Sequence, residues 1–113
     1  MKIEYTVKQE TGILTLEGDL NAVHVDRFRN EFIKWFDANP EVKNIIIDFT
    51  QVKMVDSAGL GSLIALLKLV DAREGELKLV AMSRRVRMVF EITRTHRILD
   101  IMDTVESGMA SIK

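Results

Sequence analysis

Asp56-Ser57-Ala58-Gly59-Leu60-Gly61 sets a carboxylate, a hydroxyl and two glycines within six residues. The stretch follows a β-branched run and opens an apolar one, which places the hydroxyl in the first turn of a helix just after a buried strand. Backbone N–H groups at a helix N-terminus are unpaired and point outward, so an added anion is favoured there. A serine at such a spot can be a cap, a nucleophile or a phosphoacceptor. Those three roles describe three different proteins.

Nucleophilic catalysis finds little support. Val55-Asp56-Ser57-Ala58-Gly59 lacks the G-x-S-x-G pattern of a nucleophile elbow. Only His24 and His96 could act as a base; the first reads as structural at a helix start, the second as a solvated turn residue among arginines. Metal binding fares no better, because Asp19, Asp48 and Asp56 are scattered and no His-x-x-x-His spacing occurs. Asp48, at the end of a buried strand, reads as bonded to a nearby loop. Ala58-Gly59-Leu60-Gly61-Ser62 has neither the lysine nor the spacing of a phosphate-cradling loop. The sequence therefore predicts no enzyme, no metal and no cofactor.

Capping alone would stabilise the helix by about 0.5–2 kcal/mol, and either Asp56 or Ser57 could supply it. It leaves two first-turn glycines unexplained, each costing up to about 1 kcal/mol against alanine. Close approach by another chain explains both. On the residues alone, the stretch reads as an interaction surface carrying a hydroxyl open to modification.

The elements that must position it follow from periodicity. Residues 2–8 and 13–17 alternate as strands around a turn at Gln9-Glu10-Thr11-Gly12, predicting a β-hairpin. Gly18-Asp19-Leu20-Asn21 breaks that pattern. Val25, Phe28, Phe32 and Phe36 then recur at helical spacing up to Ala38-Asn39-Pro40. Residues 44–49 form a continuous apolar run ended by Asp48-Phe49, as in a strand buried on both faces.

The next helix is expected over 58–73, with Leu60, Leu63, Ile64, Leu67 and Val70 toward the core, Gly61, Ala65, Lys68 and Ala72 outward, and Gly75 at its end. A strand over 77–82, a helix over 84–92, a short edge strand near 98–102 and a last helix capped by Thr104 complete the chain. This order predicts one α/β domain over residues 1–113, with a mixed four- to five-stranded sheet and about four helices. Parallel β-α-β units send their strand-to-helix loops to one sheet edge. Asp19–His24, Thr50–Ser57 and Met82–Arg85 should gather there.

Bulk composition is that of an ordinary globular protein and gives no sign of a polyanion binder. In 113 residues the formal charge is −1, which supplies no attraction to nucleic acid or an anionic membrane. Arg84-Arg85-Val86-Arg87, with Arg94 and Arg97, has no interleaved aromatics and reads as a solvated helix face. Met54, Met82, Met88, Met102 and Met109 read as core or rim filling. There is no cysteine, which excludes disulfides and thiolate chemistry. Met1-Lys2-Ile3-Glu4-Tyr5 lacks the apolar core of a signal peptide, and no apolar run approaches the roughly 18 residues of a membrane span. A cytoplasmic protein is expected.

Met54-Val55-Asp56-Ser57-Ala58-Gly59-Leu60-Gly61-Ser62-Leu63, preceded by Ile45-Ile46-Ile47-Asp48-Phe49, resembles the signature of bacterial anti-sigma factor antagonists of the STAS domain type. The hairpin followed by Gly18-Asp19-Leu20-Asn21 matches as well, and the similarity spans essentially the whole chain. The resemblance implies a partner switch in which the unphosphorylated protein binds a GHKL-type serine kinase, itself the anti-sigma factor, and frees the sigma factor. Phosphorylation of Ser57 ends the complex, and a PP2C-type phosphatase resets it. Asp19, Asn21, Asp56, Ala58, Gly59, Leu60 and Gly61 would then face the partner, on a monomer or weak dimer. Asn21 stands where many relatives carry a second acidic residue, and His24 where a threonine or serine often caps the first helix. Other readings are a STAS module of a secretion, signalling or transport system, and a small-ligand or nucleotide sensor.

Overall fold

The computed structural model describes residues Met1–Lys113. Strands β1 (Lys2–Lys8) and β2 (Thr11–Glu17) pair antiparallel as a hairpin. Strands β3 (Asn44–Gln51), β4 (Leu77–Val80) and β5 (Asp100–Met102) follow in parallel, giving the sheet order β1-β2-β3-β4-β5. The helices are α1 (Val25–Ala38), α2 (Ser57–Ala72), α3 (Arg84–Ile92) and α4 (Val105–Ser111). The expected α/β order and element count hold throughout.

Side-chain alternation divides the sheet into two unequal faces. Leu14, Leu16, Ile45, Ile47, Phe49, Leu77 and Leu79 point to the face covered by α1, α2 and α3, where the main core lies. Phe28, Phe32 and Phe36 descend onto it from α1 at four-residue intervals. Ile13, Ile46 and Val80 point the other way and are covered by Val105, Met109 and Ile112 at the chain's end. Thr104 starts that last helix with a reciprocal capping box to Ser107.

Several boundaries depart from the sequence reading: β3 runs on past Phe49 to Gln51, and β5 begins at Asp100 rather than Ile98. The hairpin turn is only Gln9-Glu10, with Gln9 left-handed at φ 57°. Thr11 and Gly12 already belong to the ladder, because the Glu10 carbonyl receives Lys43 N and Asn44 N from the start of β3. Strand β4 stops at Val80, since Ala81 turns left-handed at φ 60°. Helix α2 ends at Ala72, and the left-handed residue behind it is Glu74 (φ 61°) rather than Gly75. Gly75 is small for another reason: a Cβ there would run into the Lys43 carbonyl.

The core face of α2 is also rotated from expectation. Leu60, Leu63, Leu66 and Val70 are buried, whereas Ile64 and Leu67 are half-buried at its flanks. The helix is apolar nearly all round, so periodicity discriminates poorly among its leucines.

Candidate functional site

Two loops meet at the C-terminal ends of β2 and β3, as the topology requires. Beyond the strands the pairing continues irregularly. Gly18 N donates to Gln51 O, Leu20 N donates to Met54 O at 2.9 Å, and Leu20 bridges Val55 in parallel. The 18–24 and 50–57 segments therefore form one surface. The third segment, Met82–Arg85, starts α3 at the same sheet edge, with Ser83 as its cap. No hydrogen bond joins it to the other two.

Asp56 holds the two loops and the helix together. It is the N-cap of α2, and its Oδ1 accepts from Gly59 N at 2.8 Å. Its Oδ2 accepts from Ala22 N at 3.0 Å, thirty-four residues away in sequence. The Gly59 amide holds this carboxyl below the usual carboxylate range against the opposing effect of burial, and the Ala22 amide adds to the lowering. Asp56 is an anion fixed at the helix start.

That arrangement decides between the two candidate caps. Asp56 does the capping, which leaves the Ser57 hydroxyl exposed and outside every hydrogen bond of the fold. Ser57 begins a 16-residue helix, so its side chain stands where unpaired amides and the dipole favour negative charge. The other nearby hydroxyl is unsuitable. Ser62 is buried and donates back to Gly59 O at 2.7 Å.

The two glycines of the turn separate in role. Gly59 is buried, and a Cβ there would collide with the Leu20 carbonyl and press on Val55. Its bareness serves packing of the fold's own loop, which corrects the expectation that it faces a partner. Leu60 is likewise a core residue, 5% exposed. Gly61 has open space where a Cβ would be and lies on the surface beside half-buried Ala58.

The first loop is self-supporting. Asn21 Oδ1 accepts from Val23 N, and its carbonyl receives His24 N and Val25 N, so the amide side chain does locally what a carboxylate would. His24 gives α1 no side-chain cap; its Nδ1 lies 2.7 Å from Asp19 O. The imidazole is a loop brace, as the sequence reading held. Asp19 is half-buried, with its carboxylate free of hydrogen bonds. Asp48 lies within β3, which runs on to Gln51, and accepts from the backbone and hydroxyl of Thr50 in the same strand rather than from a loop as the sequence suggested.

Exposed apolar residues are what sequence reasoning missed. Val23 is 81% exposed and Met54 46%, one in each loop beside Ser57. Met88 on α3 is 50% exposed, so Met54 and Met88 are neither core nor rim filling. Single apolar residues in loops carry no periodic signal. A cleft of about 510 Å3 between the loops is lined by Glu17, Gly18, Asp19, Thr50, Gln51 and Lys53. It lacks an apolar wall on which a nucleobase could stack. No three His, Asp or Glu side chains converge as a metal site, and no helix is long and apolar enough to cross a membrane.

The fold and this site define a class of small α/β domains with a hairpin-led mixed sheet, and comparison with known proteins says which. The STAS domain model matches residues 2–108, so the chain belongs to the STAS domain family. A candidate anti-sigma factor antagonist of Thermotoga neapolitana is 30% identical over 96% of each chain. The anti-sigma-B factor antagonist of Bacillus subtilis is 27% identical over 96% of this chain and 99% of its own. The crystal structure of a candidate anti-sigma factor antagonist from Thermotoga maritima superposes with a TM-score of 0.90 at 24% identity, covering 97% of this chain and 93% of that one. The chain is a STAS-domain protein of the anti-sigma factor antagonist type.

Proposed function

We propose that this protein is a phosphorylation-controlled partner switch. Unmodified, it binds an anti-sigma factor that is also a serine kinase of the GHKL type, and so releases the sigma factor. The observation that carries this reading is the division of labour at the α2 start: Asp56 caps the helix, so Ser57 is presented free.

In the modifying step the Ser57 Oγ attacks the γ-phosphorus of the kinase's Mg-bound ATP. The P–O bond to ADP breaks, the hydroxyl proton passes to a base of the kinase, and phosphoserine and ADP result. The product carries about −1.5 to −2 charges at neutral pH. Amides at the helix start favour that charge locally, so the domain stays folded. The partner bears the cost, because an interface closed over Ser57, Ala58 and Gly61 now meets a dianion beside ionised Asp56. Burying such a charge unpaired is worth several kcal/mol, enough for a loss of about a hundredfold or more in affinity. Val23 and Met54 supply apolar anchors around the hydroxyl, and Asp19 offers a free carboxylate at the rim. A PP2C-type phosphatase restores the binding form.

The test is calorimetric titration against the cognate kinase, with the phosphosite mapped by mass spectrometry after incubation with ATP. Ser57→Ala should bind as tightly as the unmodified protein and resist phosphorylation, whereas Ser57→Glu should bind at least about a hundredfold more weakly. Equal affinity for wild type and Ser57→Glu, or a phosphosite elsewhere, would sink the proposal.

A further inference from the structure

Helix α3 and the turn after it form a second surface that the switch does not use. Residues 84–98 hold five arginines, Arg84, Arg85, Arg87, Arg94 and Arg97, and one acid, Glu91. Asp103 reaches in to pair with Arg87 at 3.5 Å, which leaves the other four arginines without an acidic partner. The chain as a whole is net −1, whereas this stretch, with five arginines and one glutamate, is locally positive. Val86 and Phe90 anchor α3 to the core, Phe90 by an edge-to-face contact with Phe49. The helical wheel puts Met88 at the centre of the opposite face, with Arg84 and Glu91 on one side and Ile92 and Arg85 on the other.

This face is not merely solvated. Met88 is 50% exposed, Ile92 76% and Ile98 54%, three of the most exposed large apolar residues in the chain. Two clefts flank it on the Arg84–Glu91 side, one of about 460 Å3 containing Met82, Arg84 and Met88, the other of about 240 Å3 containing His96 and Ile101, while Ile92 and Ile98 stand outside both. Arg87 and Glu91, paired at 3.9 Å, form their common wall.

The turn after α3 is also tied back to the helix. Arg94 turns left-handed at φ 60°, and Thr95 Oγ1 and His96 Nδ1 both reach the Phe90 carbonyl. A preordered turn loses less entropy on binding.

We infer that this face docks an acidic amphipathic helix of a protein partner, its apolar stripe on Met88 and Ile92 and its carboxylates on the surrounding arginines. Arginine recognises carboxylates bidentately and is enriched at interfaces, and aliphatic anchors ringed by charge match a helix-in-groove mode. Nucleic acid fits less well: no aromatic stacks there, Glu91 sits within the patch, and exposed isoleucine contributes nothing to phosphate contact. The inference stands apart from the Ser57 reading, because it uses a different helix.

The probe is a synthetic peptide of about 16 residues, with leucine at every third or fourth position and glutamate between, titrated into isotope-labelled protein and followed by amide shifts. Shifts should be confined to residues 82–101, weaken with added salt, and persist in Ser57→Glu. Arg84→Glu with Arg85→Glu should lower affinity at least about tenfold, as should Met88→Ser alone, each with an unchanged circular dichroism melt. A lysine-for-glutamate peptide should not bind. Absence of α3 shifts at millimolar peptide, shifts centred on Ser57, equal binding of the basic peptide, or tighter binding of a DNA duplex would each overturn the inference.

Discussion

Asp56 is a charged residue whose two carboxylate oxygens each satisfy a backbone amide, one within its own helix and one in a distant loop. Replacing it with alanine orphans both amides, and loss of the cap alone costs about 0.5–2 kcal/mol. The pH dependence has a definite sign. The folded carboxyl titrates below its unfolded value of about 4, so its stabilisation is complete above that value and is lost as pH falls through the lower folded one. Melting curves should show a constant gap between wild type and Asp56→Ala from pH 5 to 8, closing as pH drops below about 4. The two glycines offer a paired test. Gly61→Ala should stabilise by up to about 1 kcal/mol through helix propensity, since nothing occupies the space of its Cβ. Gly59→Ala should instead destabilise by about 1–3 kcal/mol, because the added methyl displaces the Leu20 carbonyl. Denaturant titration of the two variants would settle the matter, and equal effects would refute the distinction. The hydroxyl and its acidic neighbour were legible in the sequence. Which of the two caps was not, for both side chains are competent and only the Ala22 amide, brought in by the fold, favours Asp56.

At the scale of elements, α1 and α2 are joined at their far ends by one side chain. Arg73, the C-cap of α2, donates to the carbonyls of Phe36, Asn39 and Val42 and lies 3.4 Å over the Phe36 ring. Phe36 O and Asn39 O each also accept a backbone amide, from Asn39 N and Val42 N, so the guanidinium adds a second bond to these carbonyls and ties the end of α1 and the following loop to α2. Lysine cannot fork among these acceptors or stack in the same way. Arg73→Lys should therefore cost about 1–3 kcal/mol in urea unfolding; a loss within error would mean water replaces these bonds freely. The order of strands and helices was readable because hydrophobic period changes cleanly from one to the next. Three things were hidden: the rotation of α2, the early stop of β4 and the shortness of the hairpin turn. Each depends on contacts between segments remote in sequence, or on left-handed residues of types (Gln9, Glu74, Ala81) that do not signal such a conformation.

For the molecule as a whole, the stabilising core packs on both faces of the sheet, whereas Ser57 lies beyond one end of its strands. Nothing in the core rests on Ser57, so the phosphorylated protein should melt within a few degrees of the unmodified one by circular dichroism. A fall beyond about 10 °C would mean that modification acts by unfolding. The STAS family relationship was legible in the Asp-Ser-Ala-Gly-Leu-Gly element, whereas the exposed apolar residues Val23, Met54 and Met88 needed coordinates to be seen. The carboxylate bridge from Asp56 to Ala22 has one more consequence. The neighbourhood of Ser57 is assembled from two stretches of chain thirty-four residues apart, so a linear peptide copied from residues 52–63 carries the hydroxyl without its setting. An enzyme that reads this surface reads a shape, and a screen of short peptides would pass over its substrate.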